Sequence, residues 1–393
     1  MPFAVVVYFL PMKLLVLAQT PPPVHGQSIM VRTLVEGLKT VAPDIEVYHV
    51  NPALSRDAAD VGRIRPGKFF ALLRACFRAL SLRWWHGPMW LYYVPAPGKR
   101  AALYRDWLAM LWCRPFFSGL ILHWHACGLG EWLAARAAAP ERGLARLFLG
   151  RAALSIVLAP ELAADARLLA PRRLRVVANG LDCRPADGGE AAPPDAAVAA
   201  GSPPRRILYL GLCSREKGLF VALDALSELN AAPQPSAFPA YRLTVAGEFA
   251  SGAERAEFFR RLAGSPTLAS SVDYAGPSAD AQKHALLAAA DVFCMPTRYP
   301  HEGQPLVLIE AMAHDLPIVA TRWRAIPGML PAACRAWLVS PDTSPRELAA
   351  ALRAACDGGR AQGRLRAHYE ACFSRETHLR ALARALREGL KGK

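Results

Sequence analysis

The stretch DVFCMPTRYPHEGQPLVLIEAMAHDLPIVA, at residues 291–320, predicts a buried strand, a loop, a buried helix and a second buried strand. Apolar runs of strand length stand at its two ends. The run PLVLIEAMA between them is apolar on nearly every side, and its Pro305 suits the first turn of a buried helix. Parallel strands need a crossover of this kind, so the stretch indicates an α/β fold.

The same alternation of short apolar runs with longer amphipathic segments extends along the whole chain. Amphipathic helices are predicted at 28–41, 68–83 and 374–390. The predicted strands are 13–18, 45–50, 89–94, 118–124, 154–158 and 174–178 in the first half, and 206–211, 241–246, 271–275, 291–295, 317–320 and 336–339 in the second. We therefore expect two doubly wound, Rossmann-like domains that face each other across a cleft, with ligands beyond the carboxyl ends of the strands.

A break in this rhythm divides the two domains. The stretch PADGGEAAPPDAAVAAGSPP is rich in Pro, Gly and Ala and has no apolar periodicity, so we predict a linker at 185–204. The expected domains are then 1–184 and 205–373. We expect the C-terminal helix, within 374–393, to pack back toward the first domain.

The composition is that of a folded protein in a reducing compartment. Of the 393 residues, 53% are hydrophobic and 20% are charged, which allows large cores. The nine cysteines are scattered and form no CxxC pair, which argues against a disulfide framework and a structural zinc site. The segment KLLVLAQ predicts a first buried strand rather than a signal peptide, and no apolar run is long enough to span a membrane. We therefore expect a cytoplasmic protein whose translation starts at Met1 or at Met12.

Two carboxylates in the opening stretch are candidates for ligand binding. Glu310 lies inside the apolar helix, where a buried carboxylate needs hydrogen-bond donors or a cation. Ribose hydroxyls are suitable donors, and a Lys or Arg of the core is the alternative partner. Glu302 lies on the loop before the helix, and the free amides of the helix's first turn suit a diphosphate.

A second segment indicates phosphate binding. The run RILYLGLCSREKGLFVALDAL predicts a strand, a tight loop that ends with Lys217 and Gly218, and a helix. A Lys beyond the carboxyl end of a strand, followed by Gly at a helix start, suits phosphate. Taken alone, the pair has a solvated loop lysine as its alternative interpretation. The net charge of +15 also favours acidic partners such as nucleotide phosphates, anionic lipid or nucleic acid.

Over essentially its whole length the chain resembles glycosyltransferase family 4, the retaining transferases of the GT-B fold. The motifs that carry the resemblance are EGQPLVLIEAMA with its Glu-x7-Glu pair, GLCSREKG, ADVFCMPT, VVANGLD at 176–182 and TPPPVHGQS at 20–28. The resemblance implies transfer of a sugar from a nucleotide-diphosphate sugar, UDP- or GDP-linked, with retention at the anomeric carbon. The implied acceptor is a hydroxyl of a lipid-linked or cell-surface glycan precursor.

The resemblance also implies a role for each matching residue of the second domain. Glu310 would bind the donor ribose, Glu302 would face the transferred sugar, and Lys217 would neutralise the leaving diphosphate. The family often has an arginine where this chain has Leu212, and Arg215 is expected to supply that charge. Further donor contacts would come from the amides near Gly303, Gln304, Leu306 and Val307.

Two residues of the first domain belong to the implied site. His125, in ILHWHACG, would contact the transferred sugar, and it matches the family's histidine better than His123 does. Gly26 would let the first loop approach the donor closely. Besides Leu212, the positions that depart from the family's pattern are His25 and Pro305, each of which stands where the family often has Gly.

Other functions stay open at this point. An inverting GT-B transferase or a nucleotide-sugar epimerase is the main enzymatic alternative, and a nucleotide-sugar-binding assembly partner is the non-enzymatic one. A dehydrogenase is disfavoured because neither domain opens with a GxGxxG turn. No Asp-x-Asp motif lies near a strand end, so we expect no metal and no cofactor, with Lys217 and the helix amides in the role of a cation.

The stretch at 63–114 combines basic charge with aromatic side chains. Ten Lys or Arg stand against one acid, Asp106, and eleven aromatic residues are interleaved with them. Such helices suit an anionic membrane surface, which favours a lipid-linked acceptor at the inner membrane face. The alternative is that the aromatic residues form core and the arginines are merely solvated. Nucleic acid is not expected as a partner, because no recognised binding module is visible.

Overall fold

The computed structural model describes residues 11–53, 66–183, 203–231, 240–278 and 280–390. The predicted linker at 185–204 lies outside the described residues as far as residue 202. The same holds for residues 63–65 of the basic stretch and for the first ten residues of the chain.

The chain divides into two compact units. Unit 1 comprises Met1–Gly180 together with Arg375–Lys393, and unit 2 comprises Leu181–Ser374. The chain thus leaves unit 1, completes unit 2, and then returns to unit 1 with its last segment.

Unit 1 is built on a parallel six-stranded sheet. Its strands are β1 (Met12–Leu17), β2 (Ile45–Val50), β3 (Trp90–Tyr93), β4 (Leu120–Trp124), β5 (Leu154–Val157) and β6 (Leu174–Val176). Their order in the sheet is β2-β1-β3-β4-β5-β6. Leu14, Leu15 and Val16 of β1 are all fully buried, although successive side chains point to opposite faces of a sheet. Both faces are therefore covered, which is why such strands read as continuous apolar runs.

The helices of unit 1 cover this sheet. They are α1 (Gly26–Val41), α2 (Pro66–His86), α3 (Arg100–Cys113), α4 (Leu129–Ala135), α5 (Ala139–Leu149), α6 (Ala164–Leu168) and the C-terminal α15 (Arg375–Leu390). α15 packs against α1 at Gly37, where an added β-carbon would lie 2.5 Å from Cδ1 of Leu379. Leu382 and Leu386 of α15 join the same buried cluster as Leu34 of α1.

Unit 2 is built on a second parallel sheet of six strands. They are β7 (Arg205–Leu210), β8 (Tyr241–Ala246), β9 (Val272–Gly276), β10 (Val292–Met295), β11 (Ile318–Thr321) and β12 (Leu338–Val339). Their order is β12-β11-β10-β7-β8-β9, which places β7 and β10 side by side in the middle. The helices are α7 (Leu219–Leu229), α8 (Gly252–Ala263), α9 (Pro266–Ser271), α10 (Asp280–Ala289), α11 (Leu306–Ala313), α12 (Ile326–Met329), α13 (Pro345–Gly358) and α14 (Arg364–Cys372).

All twelve predicted strands are present, and one detail of the opening stretch needs correction. Pro305 does not stand in the first turn of α11 but precedes it as the N-cap, because its ψ of 118° is extended rather than helical. All nine cysteines fall in described positions; they are free thiols, and eight are buried. None of the helices in the described ranges combines the length and apolar composition needed to cross a bilayer.

Candidate functional site

Two loops of unit 2 meet at the carboxyl ends of its central strands. β7 and β10 run parallel, with Val292 paired to Ile207. The loop after β7 leads to the start of α7, and the loop after β10 leads to the start of α11. The amide of Arg298 donates to the carbonyl oxygen of Glu216 at 2.7 Å, which ties the two loops together. The two segments singled out from the sequence therefore converge at one edge of the sheet.

An ion pair joins these loops. Lys217 Nζ lies 2.5 Å from Glu302 Oε2, and the two side chains are only 19% and 7% exposed. Thr297 Oγ1 donates to the same carboxylate oxygen at 3.2 Å. Lys217 Nζ also lies 4.9 Å from the centroid of the Tyr299 ring. The structure thus brings together the residue expected at the diphosphate and the residue expected at the sugar, and each neutralises the other.

The backbone at Gly218 explains why lysine and glycine stand together here. Gly218 precedes α7 as its N-cap in the left-handed region, with φ of +86°. A β-carbon at this position would lie 2.2 Å from the carbonyl oxygen of Pro296, on the neighbouring loop. Glycine lets the two loops approach closely, and this approach holds Lys217 against Glu302.

The start of α11 offers backbone amides beside this pair. Gly303 and Gln304 are buried, while Leu306 and Val307 are half-buried. The N-cap Pro305 supplies no side-chain hydrogen bond to the first turn. The first amides of a helix have no carbonyl partner within it, and the helix dipole makes that end attractive to anions. The geometry here suits an anionic group next to Lys217.

Glu310 is the fifth residue of α11, and it forms an ion pair with a lysine that the sequence analysis did not single out. Lys283 Nζ, on α10, lies 2.6 Å from Glu310 Oε1. Burial raises the pKa of Glu310, and the nearby Lys283 cation opposes that rise. The alternative partner expected from the sequence, a lysine of the core, is thus present. A carboxylate has about four acceptor sites, so pairing with Lys283 leaves capacity for hydroxyl donors.

Lys283 escaped prediction because no spacing marks it. It stands in an ordinary helical segment, 27 residues before Glu310. The only available signal was the requirement that a carboxylate inside an apolar helix has a cation, and that requirement does not say which one.

The side chain of Arg215 contacts α8. Its guanidinium lies 2.6 Å from Glu257 Oε2 and stacks 4.7 Å from the centroid of the Phe220 ring. The amide of Arg215 donates to Glu254 Oε1 at 2.8 Å. Leu212, which stands where the family often has the arginine whose charge Arg215 was expected to supply, is 40% exposed. Arg215 therefore fastens its loop to α8, and its charge is already matched by Glu257.

In unit 1, His125 follows β4 at its carboxyl end. Its Nδ1 is buried without a hydrogen-bond partner. Burial lowers the pKa of His125 to about 3, helped by the positive potential of His378 and His25, so the ring is neutral near pH 7. His123, in contrast, lies within β4 and its Nδ1 is hydrogen-bonded to the Tyr92 hydroxyl. The two histidine rings lie 4.2 Å apart, centroid to centroid.

Gly26 begins α1, and its neighbour His25 is the N-cap. His25 Nδ1 accepts from the amide of Ser28 at 3.2 Å, and Ser28 Oγ accepts from the amide of His25 at 3.0 Å. These reciprocal bonds form a capping box. The departure at His25 therefore has a local structural role, which is to fix the start of α1.

A part of unit 2 matches a family of known proteins. Residues 204–357 match the family model described as glycosyl transferases group 1, and this range contains the Lys217, Glu302 and Glu310 region. The putative colanic acid biosynthesis glycosyltransferase WcaL of Salmonella typhimurium (strain LT2) is 33% identical over 159 residues, or 39% of this chain. That match spans 37% of the relative's own length. Residues 204–357 are therefore similar to the group 1 glycosyl transferases.

Solved structures agree with the fold over almost the whole chain. Sucrose-phosphate synthase from Thermosynechococcus elongatus superimposes with a TM-score of 0.68 and 18% identity, covering 96% of this chain and 98% of that chain. HepE from Anabaena, solved in complex with UDP-glucose, gives a TM-score of 0.65 and 17% identity, covering 96% and 100%. The prediction of a GT-B fold with two parallel-sheet α/β domains is confirmed.

Proposed function

We propose that the protein is a retaining glycosyltransferase of family 4 that transfers a sugar from a nucleotide-diphosphate sugar to a hydroxyl acceptor. The observation that carries the proposal is the buried Lys217–Glu302 pair, held at the uncapped start of α11. It lies within the residues that match the group 1 model. A cation, backbone amides and a carboxylate at one edge of a sheet suit a ligand that joins phosphate to sugar hydroxyls.

The donor side of the proposal assigns one part of the ligand to each group. Lys217 and the amides of Leu306 and Val307 would hold the diphosphate, and Glu310 would accept from the ribose hydroxyls. Glu302 would accept from hydroxyls of the transferred sugar. HepE, which shares the fold, binds UDP-glucose, and this supports a UDP- or GDP-linked donor.

The reaction needs negative charge to be stabilised as the leaving group departs. Cleavage of the bond between the anomeric carbon and the phosphate oxygen leaves both electrons on the nucleoside diphosphate, and the sugar becomes oxocarbenium-like. Lys217 and the fixed amides of α11 are preorganised for that charge, so the proposal requires no metal ion. The carboxylate of Glu302 is already paired with Lys217, so a covalent sugar intermediate is not assigned to it. We propose front-face attack by the acceptor, with retention.

His125 is proposed to contact the transferred sugar. Its position at the end of β4 and its unpartnered Nδ1 support this role, and its lowered pKa keeps it a neutral hydrogen-bonding group. For the acceptor we propose a lipid-linked or cell-surface glycan precursor, at the cytoplasmic membrane face. The similarity to a putative colanic acid biosynthesis glycosyltransferase supports that class.

The test begins with binding and continues with transfer. A thermal-shift screen of the whole chain against UDP-, GDP- and other nucleotide sugars identifies the donor. Glu310→Gln should then lower nucleotide affinity tenfold or more, because charge-assisted bonds to hydroxyls contribute about 1.5–3 kcal/mol. Glu376→Gln, which alters an exposed carboxylate of α15, is the matched control and should bind normally. Undiminished transfer by Glu310→Gln would contradict the proposal.

The products separate the remaining alternatives. A product with inverted anomeric configuration identifies an inverting transferase. Donor conversion without an acceptor, yielding an isomeric nucleotide sugar, identifies an epimerase. Tight donor binding with neither hydrolysis nor transfer identifies a nucleotide-sugar-binding assembly partner.

A further inference from the structure

The outward face of α2 carries large aromatic side chains instead of polar ones. Phe70, Phe77 and Trp84 follow one another at intervals of seven residues, which is about two helical turns, so they form one stripe. Trp84 and its neighbour Trp85 are 85% and 82% exposed. The opposite side of α2 is the buried one, with Leu72, Ala75, Cys76 and Ala79 in the core of unit 1. The aromatic stripe therefore lies outside the face of α2 that packs into the core of unit 1.

The stripe continues onto α3 and the turn that follows it. The Phe77 ring lies 5.7 Å from the Trp112 ring, centroid to centroid. Leu111 is 56% exposed, and so is Phe116, whose carbonyl oxygen accepts from Arg83 Nε at 2.8 Å. We call this surface the aromatic face, and its members are Phe70, Phe77, Trp84, Trp85, Leu111, Trp112 and Phe116. Monomeric soluble proteins rarely expose so many neighbouring large apolar side chains without a binding role.

The two helices that carry the aromatic face expose side-chain charges of one sign. α2 contains four Lys or Arg and no acid. Arg74 and Arg78 are exposed on the same outward side as the aromatic stripe. Asp106, the single acid of α3, is fully buried and accepts from the Tyr93 hydroxyl, the Ala96 amide and Arg105. The side chains of these two helices thus present cations and aromatic rings to a partner, with no exposed carboxylate among them.

We propose that the aromatic face docks unit 1 on an anionic lipid bilayer. Tryptophan side chains favour the boundary between lipid headgroups and acyl chains, and arginines beside them pair with lipid phosphates. Two helices that expose cations and no carboxylate of their own are complementary to a layer of negative charge. The docking itself is inferred from the aromatic face alone. Only its biological purpose, which is to bring the protein to a lipid-linked acceptor, rests on the proposed function.

The test is sedimentation of the whole chain with sucrose-loaded vesicles. Vesicles of phosphatidylcholine with phosphatidylglycerol in equal parts are compared with phosphatidylcholine alone, at low and high salt. Trp84→Ala/Trp85→Ala removes the most exposed rings, and Arg74→Gln/Arg78→Gln removes exposed charge. Arg167→Gln/Arg172→Gln, exposed arginines of unit 1 outside the aromatic face, is the control for charge. Phe259→Ala, at a 40% exposed ring of unit 2, is the control for aromatic area.

The expected result is salt-sensitive binding to the anionic vesicles alone, with a blue shift of tryptophan fluorescence. Each arginine near a charged membrane contributes about fivefold to binding, so the arginine double variant should lose about an order of magnitude or more. The tryptophan double variant should lose at least tenfold. Both control variants should bind as the wild type does.

The proposal is overturned if the wild type does not sediment with anionic vesicles, or if the two test variants bind as well as the controls. A lipid-independent dimer that the tryptophan variant abolishes would also overturn it, because the face would then belong to a protein partner. The assay contains neither donor nor acceptor, so its failure is distinct from failure of the proposed transfer. Circular dichroism and thermal unfolding establish that each variant is folded.

Discussion

At the scale of single residues, both acids of the Glu-x7-Glu pair are matched by a lysine. Glu302 contacts Lys217 and Glu310 contacts Lys283, and each lysine reaches its acid from another segment of unit 2. Removing one partner of a buried pair leaves a charge that its surroundings do not compensate. Lys283 in particular opposes the effect of burial on the ionisation of Glu310.

Replacing Lys283 by Met should make nucleotide binding depend on pH. Without the cation, burial alone acts on Glu310 and its pKa should rise further above the ordinary value. Below that raised pKa the carboxyl is protonated and accepts fewer hydroxyl bonds, so affinity should fall as pH decreases and recover at higher pH. Nucleotide titrations between pH 6 and pH 9 measure this. Lys283→Arg, which keeps the charge, should restore the wild-type profile, whereas a flat profile for Lys283→Met would exclude a positioning role.

The sequence located Glu302, Lys217 and Glu310, but not Lys283, which is the partner of Glu310. Glu302, Glu310 and Lys217 lie in segments whose strand, loop and helix pattern is visible along the chain. The partner of Glu310 is set by how α10 packs on α11, which no local pattern records. Arg215 shows the same limit, because Glu257 on α8 decides where its guanidinium lies.

At the scale of elements, the loops that follow the central strands of unit 2 can approach one another closely because glycines stand at their contact points. A β-carbon added at Gly218 would lie 2.2 Å from the carbonyl oxygen of Pro296. Gly247 is closer still, since a β-carbon there would lie 1.8 Å from the carbonyl oxygen of Gly211. These contacts hold the loops after β7, β8 and β10 in one arrangement.

Gly218→Ala should therefore destabilise unit 2 and displace Lys217 from Glu302. A left-handed backbone costs an alanine about 1–2 kcal/mol, and the clash with Pro296 adds to it, so about 2 kcal/mol or more is expected. Urea unfolding of the variant measures the loss. Gly252→Ala is the matched control, because Gly252 begins α8 and nothing lies within 4 Å of the added carbon. Equal stability of the two variants would contradict the assignment.

The elements themselves were predictable, because strands of a parallel sheet buried on both faces appear as short apolar runs. The first residue of α11 was harder to predict, because a proline is compatible with both the N-cap and the first turn of a helix. Only the ψ angle of Pro305 distinguishes these two positions. The basic stretch shows a second limit. Tyr92, Tyr93 and Trp107 are core, whereas Trp84 and Trp85 are exposed, and composition alone could not separate these groups.

At the scale of the whole molecule, unit 1 should lose stability in mild acid. Burial lowers the pKa of His378 to about 4 and that of His125 to about 3. The unfolded chain takes up these protons near the ordinary value of 6.5, whereas the folded chain does not. Stability is therefore unaffected above that value and falls as pH decreases toward 4, by about 2 kcal/mol per histidine between pH 7 and pH 5.

His378→Gln should reduce the loss of unfolding free energy between pH 7 and pH 5 by the amount that one buried histidine contributes. His378 Nδ1 lies 2.6 Å from the carbonyl oxygen of Ala178, and a glutamine amide also donates. Urea unfolding at pH 7 and pH 5, followed by tryptophan fluorescence, gives the change for each protein. His86→Gln, at an exposed histidine of the same unit, is the matched control for the substitution itself. A slope unchanged in His378→Gln would show that other groups cause the acid sensitivity.

The return of the chain to unit 1 has a consequence for its synthesis on the ribosome. All six strands of the first sheet are made before unit 2, yet α15, which packs in one cluster with Leu34, Leu38 and Ile156, is made after it. Roughly 190 residues of unit 2 intervene, and at about 5–20 residues per second they take about 10–40 s to translate. During that interval unit 2 can fold from a continuous segment, while the nascent first sheet waits with an apolar surface uncovered. The helix that completes unit 1 is therefore translated only after the whole of unit 2.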